Sequence, residues 1–177
     1  YLSRRSNVKV TNVVARHWFY AFDIENSHDL EIRGNEIYDA TSTGVLLYYS
    51  DSNNITGNVV RSNNKGIGLA AFPWGHCAFN IITCNEVSEQ IFRGVYMMYA
   101  DCNQFYHNNF INNYNAEQLW CYGNVWDNGY PSGGNYWNDY PGTDQKSGPN
   151  QDQPESDGIG DTPYVIDKDN RDCYPLM

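Results

Sequence analysis

Two acidic groups carry most of the chemistry this sequence could perform. In "AFDIENS", Asp23 and Glu25 stand two residues apart. On a β-strand that spacing sets both carboxylates on one face, about 6.5 to 7 Å apart, within the broad range used by glycosidases. With Asp51 and Asp101 they form a candidate set for a polysaccharide hydrolase or lyase, which needs paired acids or a base beside a cation. The plainer alternative is solvated surface charge, the usual fate of acids at i and i+2 on an exposed strand.

The second group lies near the C-terminus, where "SDGIGDTPYVIDKDN" crowds Asp157, Asp161, Asp167 and Asp169 among small residues, with Asp152 and Glu155 just ahead. Hard oxygen ligands on a turn that Gly158 can bend suit a structural Ca²⁺, expected on Asp157 and Asp161 first and then Asp152, Glu155 and Asp167. An acidic loop held only by water is the alternative. His17, His28, His76 and His107 share no repeat position, which argues against a histidine metal cluster, and no GxSxG, P-loop or zinc motif occurs.

Aromatic residues form a third set. Tyr48, Tyr96 and Trp120 recur at similar places in different segments, while Trp18 and Trp74 fall at a turn and in an insertion. Exposed rings stack on the apolar faces of sugars; they equally cover a neighbouring subunit.

Positioning these residues requires a scaffold, and the scaffold is visible as a repeat. "VKVTNVV", "LEIRGNEIYD", "NNITGNVVRS", "NIITCNEVSE" and "NQFYHNNFIN" align on Asn12, Asn35, Asn58, Asn85 and Asn108, at intervals of 23, 23, 27 and 23 residues. A second polar column is Asn7, Asn53, Asn80 and Asn103, with Leu30 as the exception. After each unit comes a segment of alternating large residues, such as Val45 and Leu47 or Val95 and Met97, the period of a strand with one buried face. Short strands every ~23 residues without helical spacing indicate an all-β parallel β-helix of about five coils, expected to be right-handed from the general preference for right-handed crossovers. The Asn residues then staple the turns.

Phe22, Ile24, Val45, Leu47, Val95, Met97 and Leu119 are expected inward, which turns Asp23, Glu25, Tyr48, Tyr96, Met98 and Trp120 outward. The coil containing "AAFPWGHCA" is about four residues long for its class, the excess falling at 72–76 as a loop. Asn124, only 16 residues after Asn108, reads as a shortened repeat. The chain divides into coils over 1–129 and a Gly/Pro/Asp-rich capping tail over 130–177.

Composition narrows the partners. A formal charge of -10 over 177 residues repels nucleic acid and anionic membranes, leaving neutral sugars, cations and proteins, other copies of this chain included. No apolar run approaches the ~20 residues of a membrane span, and the start at Tyr1 suggests a processed product or a fragment. Five cysteines without metal spacing, in a Tyr/Asn-rich acidic chain, suggest an oxidising exterior with two disulfides. Cys77 with Cys102 and Cys121 with Cys173 are the expected pairs, leaving Cys84 over.

The ending "GNYWNDYPGTD...DGIGDTPYVIDKDNRDCYPLM", Gly134 to Met177, resembles the "GNYWSDY…DGDGIGDTPY…D.YPL" termini of NosD-like right-handed β-helix proteins of the carbohydrate-binding and sugar-hydrolase group, common at archaeal cell surfaces. The resemblance implies an extracellular, cell-surface location and a β-helix, and it spans polysaccharide-acting enzymes as well as surface-layer components. Two readings follow. One is a non-catalytic surface-layer, sheath or adhesive β-helix that contacts glycan or its own copies. The other is a polysaccharide hydrolase or lyase using Asp23, Glu25, Asp51 or Asp101.

Overall fold

A computed structural model describes residues 1–112, 114 and 116–177. Parallel strands wind into a solenoid of six coils with three strand columns. The first sheet stacks Leu2–Ser3, Tyr20–Glu25, Thr43–Tyr48, Lys65–Ala70, Arg93–Met98 and Ala116–Leu119. The second runs from Lys9–Thr11 through Glu31–Arg33, Asn54–Thr56 and Ile81–Thr83 to Gln104–Tyr106. The third runs from Val14–Arg16 through Glu36–Tyr38, Val59–Arg61, Glu86–Ser88 and Asn109–Ile111 to Tyr136–Trp137. That last strand lies beyond residue 129, so the solenoid extends into the segment expected to be tail, and the coils number six rather than five.

Strands this short gain little alone; stacking identical positions is what buries a continuous core. Ile32, Ile55, Ile82 and Phe105 lie side by side in the second sheet, and Ile37, Val60, Val87, Phe110 and Trp137 in the third, all buried. Toward the C-terminal end the core is filled by rings. Phe105 stacks on Trp126, and Phe110 on Trp137, at 4.4 Å in each case. Tyr164 of the tail covers Trp137 at 4.3 Å with 8° between the ring planes.

Between strands the chain turns through left-handed dihedrals that repeat from coil to coil. Asn12, Gly34, Gly57, Cys84 and His107 share one such column, with φ between 55° and 63°. Asn ladders close these turns. Asn35 donates its N–H and Nδ2 to Asn58 Oδ1 at 3.0 and 2.9 Å, and the same pair of bonds carries on from Asn58 to Asn85, Asn108 and Asn135. A second ladder runs from Asn53 through Asn80 and Asn103 to Asn124. Each amide accepts from one neighbour and donates to the next, so buried backbone N–H groups at the turns find acceptors.

Three ladder expectations are corrected. Val13, not Asn12, donates its N–H to Asn35 Oδ1, 22 residues on. Asn12 sits one place earlier, at the left-handed position, and Asn7 likewise precedes Val8 at φ 55°. Asn is at home in that conformation because its short polar side chain bonds locally, so the residue type matched while the register slipped by one. Asn124 is no shortened first-ladder unit: it belongs to the second ladder, 21 residues after Asn103.

The disulfide expectations are corrected as well, because all five cysteines are free. Cys77 stands three residues before ladder Asn80, as Ser27 and Ser50 stand before Leu30 and Asn53, and it is fully buried, donating to Ser50 O at 3.3 Å. Its neighbour on the next coil is Ala100; Cys102 lies two places further along, exposed, at a left-handed turn. The thiols therefore face different ways. Cys121 occupies the same inward position as Cys77 and bonds Leu119 O, while the Cys173 backbone is tied to Asp127. Burial pushes the Cys77 thiol up to about 12. In folded protein iodoacetamide should label Cys84, Cys102 and Cys173 but spare Cys77 until denaturant is added. Recovery of a Cys77–Cys102 peptide without reductant would overturn this arrangement.

The tail closes the C-terminal end. Leu176 bridges Tyr136 in parallel, and Gly134 N–H donates to Tyr174 O. Asp172 ends the first ladder: its Oδ2 accepts from Asn135 N–H at 2.7 Å, Asn135 Nδ2 at 3.3 Å and Trp137 Nε1 at 2.9 Å, and its Oδ1 from Tyr174 N–H. A carboxylate only accepts, which suits the last member of a ladder, where an amide would need a further acceptor for its NH2. A Cβ on Gly134 would lie 1.9 Å from Asp172 Oδ1, so only glycine permits the approach.

Candidate functional site: the outer face of the first sheet

Register fixes which first-sheet residues face outward. Asp23, Leu46, Gly68, Tyr96 and Glu117 form one lateral row, and Glu25, Tyr48, Ala70, Met98 and Leu119 the next. Asp23, Glu25, Tyr48, Tyr96 and Met98 thus face outward as the alternation predicts. Leu119 and Trp120 do not follow it. Leu119 pairs with Met98, in the outward row, and Trp120 lies past the strand at a left-handed corner with φ 54°. The sixth coil is shorter here, 21 residues between ladder asparagines; with a period of two, a one-residue slip exchanges faces.

Gly68 and Ala70 are small where their neighbours are large, and both are buried on the fourth coil between Leu46 and Tyr48 on one side and Tyr96 and Met98 on the other. A Cβ on Gly68 would press on Leu46 and Thr43 at 3.2 Å. Lys65 Nζ lies over the Tyr96 ring, 4.2 Å from its centre, and Arg93 Nε pairs with Glu117 at 3.2 Å. Burial raises the pKa of both tyrosines, with the Tyr49 hydroxyl adding to it at Tyr48 and the Glu117 charge at Tyr96. Their hydroxyls stay protonated at neutral pH and can both donate and accept.

The face turns a corner into an aromatic edge. Tyr48 packs edge-on against Tyr49 at 4.5 Å, Phe72 lies 6.1 Å from Tyr48, and Phe72 N–H donates to Tyr49 Oη. The insertion passes so close that a Cβ on Gly75 would overlap the Tyr49 ring. Trp74, at its tip, is 96% exposed. Further along, Trp120 stacks on Tyr99 at 5.0 Å. Tyr49, Tyr99 and Trp120 went unnoticed as one column. Counting four residues back from Asn53, Asn103 and Asn124 would have found it. Trp18 stands elsewhere, with Tyr1, Val13 and Phe19 around a cleft of about 440 Å³ on the first coil that reaches Asp23.

The candidate acids separate into two kinds. Asp51 and Asp101 are turn staples, accepting Ala78 N–H and Tyr122 N–H at 2.7 Å each. Asp23 and Glu25 share the outer face. Burial, and then the Glu25 charge, raises the Asp23 pKa, and Glu25 accepts from the Tyr1 hydroxyl.

Tail carboxylates are placed as acceptors of N–H groups. Asp161 takes Gln145 N–H and Lys146 N–H, Asp157 takes Gly148 N–H and Ile159 N–H, and Asp167 takes Asp169 N–H and Asn170 N–H. Asp152 and Glu155 are exposed. Calcium, expected from the tail's sequence on Asp157 and Asp161, would share these carboxylates with the N–H donors, since each oxygen has two lone pairs.

Parallel coils, Asn-laddered turns and an aromatic outer face define a parallel β-helix protein. A family model described as "Periplasmic copper-binding protein (NosD)" matches residues 1–142, and the chain belongs to that family. No curated protein and no solved structure matches it. Copper sites are assembled from His, Cys and Met. Here His17, His28 and His107 occupy separate coils, beside Asp39, Asp29 and Ser132 respectively, Met97 is buried in the core, and among the described residues no three His, Cys, Asp or Glu come together to hold an ion. These residues do not fit copper.

Proposed function

We propose that the chain is a non-catalytic β-helix of the cell envelope or exterior whose first-sheet face and aromatic corner contact glycan. The observation that carries this reading is the aromatic edge of Tyr48, Tyr49 and Phe72, which runs on to Trp74, 96% exposed. Exposed rings offer stacking surface, and the neighbouring hydroxyls and Lys65 offer orienting hydrogen bonds. Location is supported by the family's periplasmic description. Among the described residues no helix is long and apolar enough to cross a membrane. Surface-layer or sheath assembly through other copies of the chain is compatible with the same face.

Tyr96→Ala is expected to weaken retention on immobilised cell-envelope polysaccharide by roughly tenfold, the worth of one aromatic contact, without lowering the melting temperature by more than a few degrees. Retention unchanged in both Tyr96→Ala and Tyr48→Ala would remove the face from the function. A hydrolase or lyase is favoured by one observation, the raised Asp23 carboxyl beside Glu25. Depolymerisation abolished by Asp23→Asn would establish that second reading.

A further inference from the structure

A second concave site lies where the tail meets the last coil. Tyr164–Val165 and Arg171–Asp172 form an antiparallel hairpin, and its loop faces the sixth coil across a cleft of about 380 Å³. Gln118, Trp120 and Tyr122 line one wall, Asp167, Asp169 and Asn170 the other. The walls are tied by Gln118 Nε2, which donates to Asp167 Oδ2 at 3.3 Å, and Asp167 in turn holds its own loop through Asn170 Nδ2. The cleft is therefore built by hydrogen bonds, and its size falls within the ~300–1,000 Å³ typical of small-molecule sites.

Its chemistry is specific. Trp120 has one ring face against Tyr99, inclined by 13°, yet the residue remains 59% exposed. Tyr122 is 73% exposed beside it. Opposite these rings stand the carboxylates of Asp167 and Asp169 and the Asn170 amide, with the Gln118 amide on the rings' own wall, groups that accept from and donate to vicinal hydroxyls. The single cation of the lining, Lys168, is paired with Asp169, so the cleft carries net negative charge in a chain of formal charge -10. Anionic sugars are repelled by such a lining.

We propose that this cleft is a subsite for a neutral pyranose unit, stacked on Trp120 and bonded through its hydroxyls to Asp167 and Asp169. The proposal rests on the glycan-contact reading above and extends it along the Tyr49–Tyr99–Trp120 corner to the tail. A bound glycan would then touch both the solenoid and its cap.

The test is a fluorescence and calorimetric titration of the whole chain with cellohexaose, mannohexaose and, as the charged comparator, hexagalacturonate. At least one neutral probe should bind in the millimolar range or tighter. Trp120→Ala should weaken that probe by about tenfold and Asp169→Asn by several-fold, while Trp120→Phe, which keeps a ring, retains most binding. All three variants should melt with the wild type. Binding of neither neutral probe, a preference for hexagalacturonate, or neutral binding indifferent to Trp120→Ala would overturn the subsite. Neutral binding that survives Trp120→Ala and is lost in Tyr96→Ala leaves the glycan-contact reading standing and removes only this cleft.

Discussion

Asn85→Ala is expected to lower the free energy of unfolding by about 4 kcal/mol, the cost of orphaning two or three buried polar groups at ~1–3 kcal/mol each. Asn85 sits in mid-solenoid, fully enclosed. Its Oδ1 accepts both the N–H and the Nδ2 of Asn58, while its Nδ2 donates to Ile55 O, Thr83 O and Asn108 Oδ1. Alanine leaves Asn58 N–H without an acceptor and removes the donor from Ile55 O, in a turn that water cannot enter without opening the stack. Asn12→Ala is the contrasting case, since Asn12 is exposed and outside the ladder. It should cost about 1 kcal/mol, the left-handed strain alone. Equal losses for the two substitutions in denaturant titrations would contradict the ladder register.

The second large effect is a pH dependence set by Asp172. Burial lifts its carboxyl from 3.8 to about 6, against the pull of the N–H donors from Asn135, Trp137 and Tyr174; the Asp127 charge adds to the rise. A carboxyl whose folded pKa exceeds its unfolded value contributes stability that is complete below the unfolded pKa and is lost as pH rises through the folded one. Between pH ~4 and ~6 the protein should therefore lose up to about 3 kcal/mol through this group. Asp172→Asn keeps an acceptor for Asn135 but cannot ionise, and should flatten that window. Asp172→Ala should cost about 3 kcal/mol or more at pH ~4, where Asn135 N–H and Trp137 Nε1 lose their partner. Asp161 acts at the other end of the scale. Hydrogen bonds from Gln145, Lys146 and Thr143 outweigh its burial and lower its pKa, so its contribution disappears only below the usual carboxylate range. A wild-type stability that rises steadily from pH 4 to 7 would contradict the buried, carboxylate-terminated ladder.

Much of the fold is legible in the residues because the repeat writes the same physics several times. Ile32, Ile55 and Ile82 mark one inward column, and Asn35, Asn58 and Asn85 one polar turn, each confirmed by its neighbours in register. Legibility fails where the repeat changes length. The first coil places Asn12 and Asn7 at left-handed positions, where Asn is favoured for a different reason, so residue type alone matched them to the wrong column. The sixth coil is short before Asn124 and then long before Asn135, 27 residues after Asn108. That change moved Trp120 from the sheet to the corner and hid the solenoid's last strand. Cysteine misled for a related reason: Cys77 and Cys121 replace the serines of an inward column, so their spacing reflected the repeat rather than a bridge.

At the candidate site, alternation was enough to turn Asp23, Glu25, Tyr48 and Tyr96 outward, since one buried face fixes the other. The aromatic edge was not readable, because it depends on Phe72 of the insertion packing beside Tyr48 and Tyr49 of another coil. The cleft at the tail was equally hidden. It exists only once the 164–172 hairpin packs beside Gln118 and Trp120.

Oxidative footprinting of aromatic side chains, with and without cell-envelope polysaccharide, tests the glycan-contact face most directly. Contact through the first sheet and its corner predicts protection of Tyr48, Tyr96 and Trp120, with Tyr114 and Tyr136 labelled as before. Uniform labelling in the presence of a polysaccharide that the protein demonstrably retains, or protection confined to Tyr136, would contradict it.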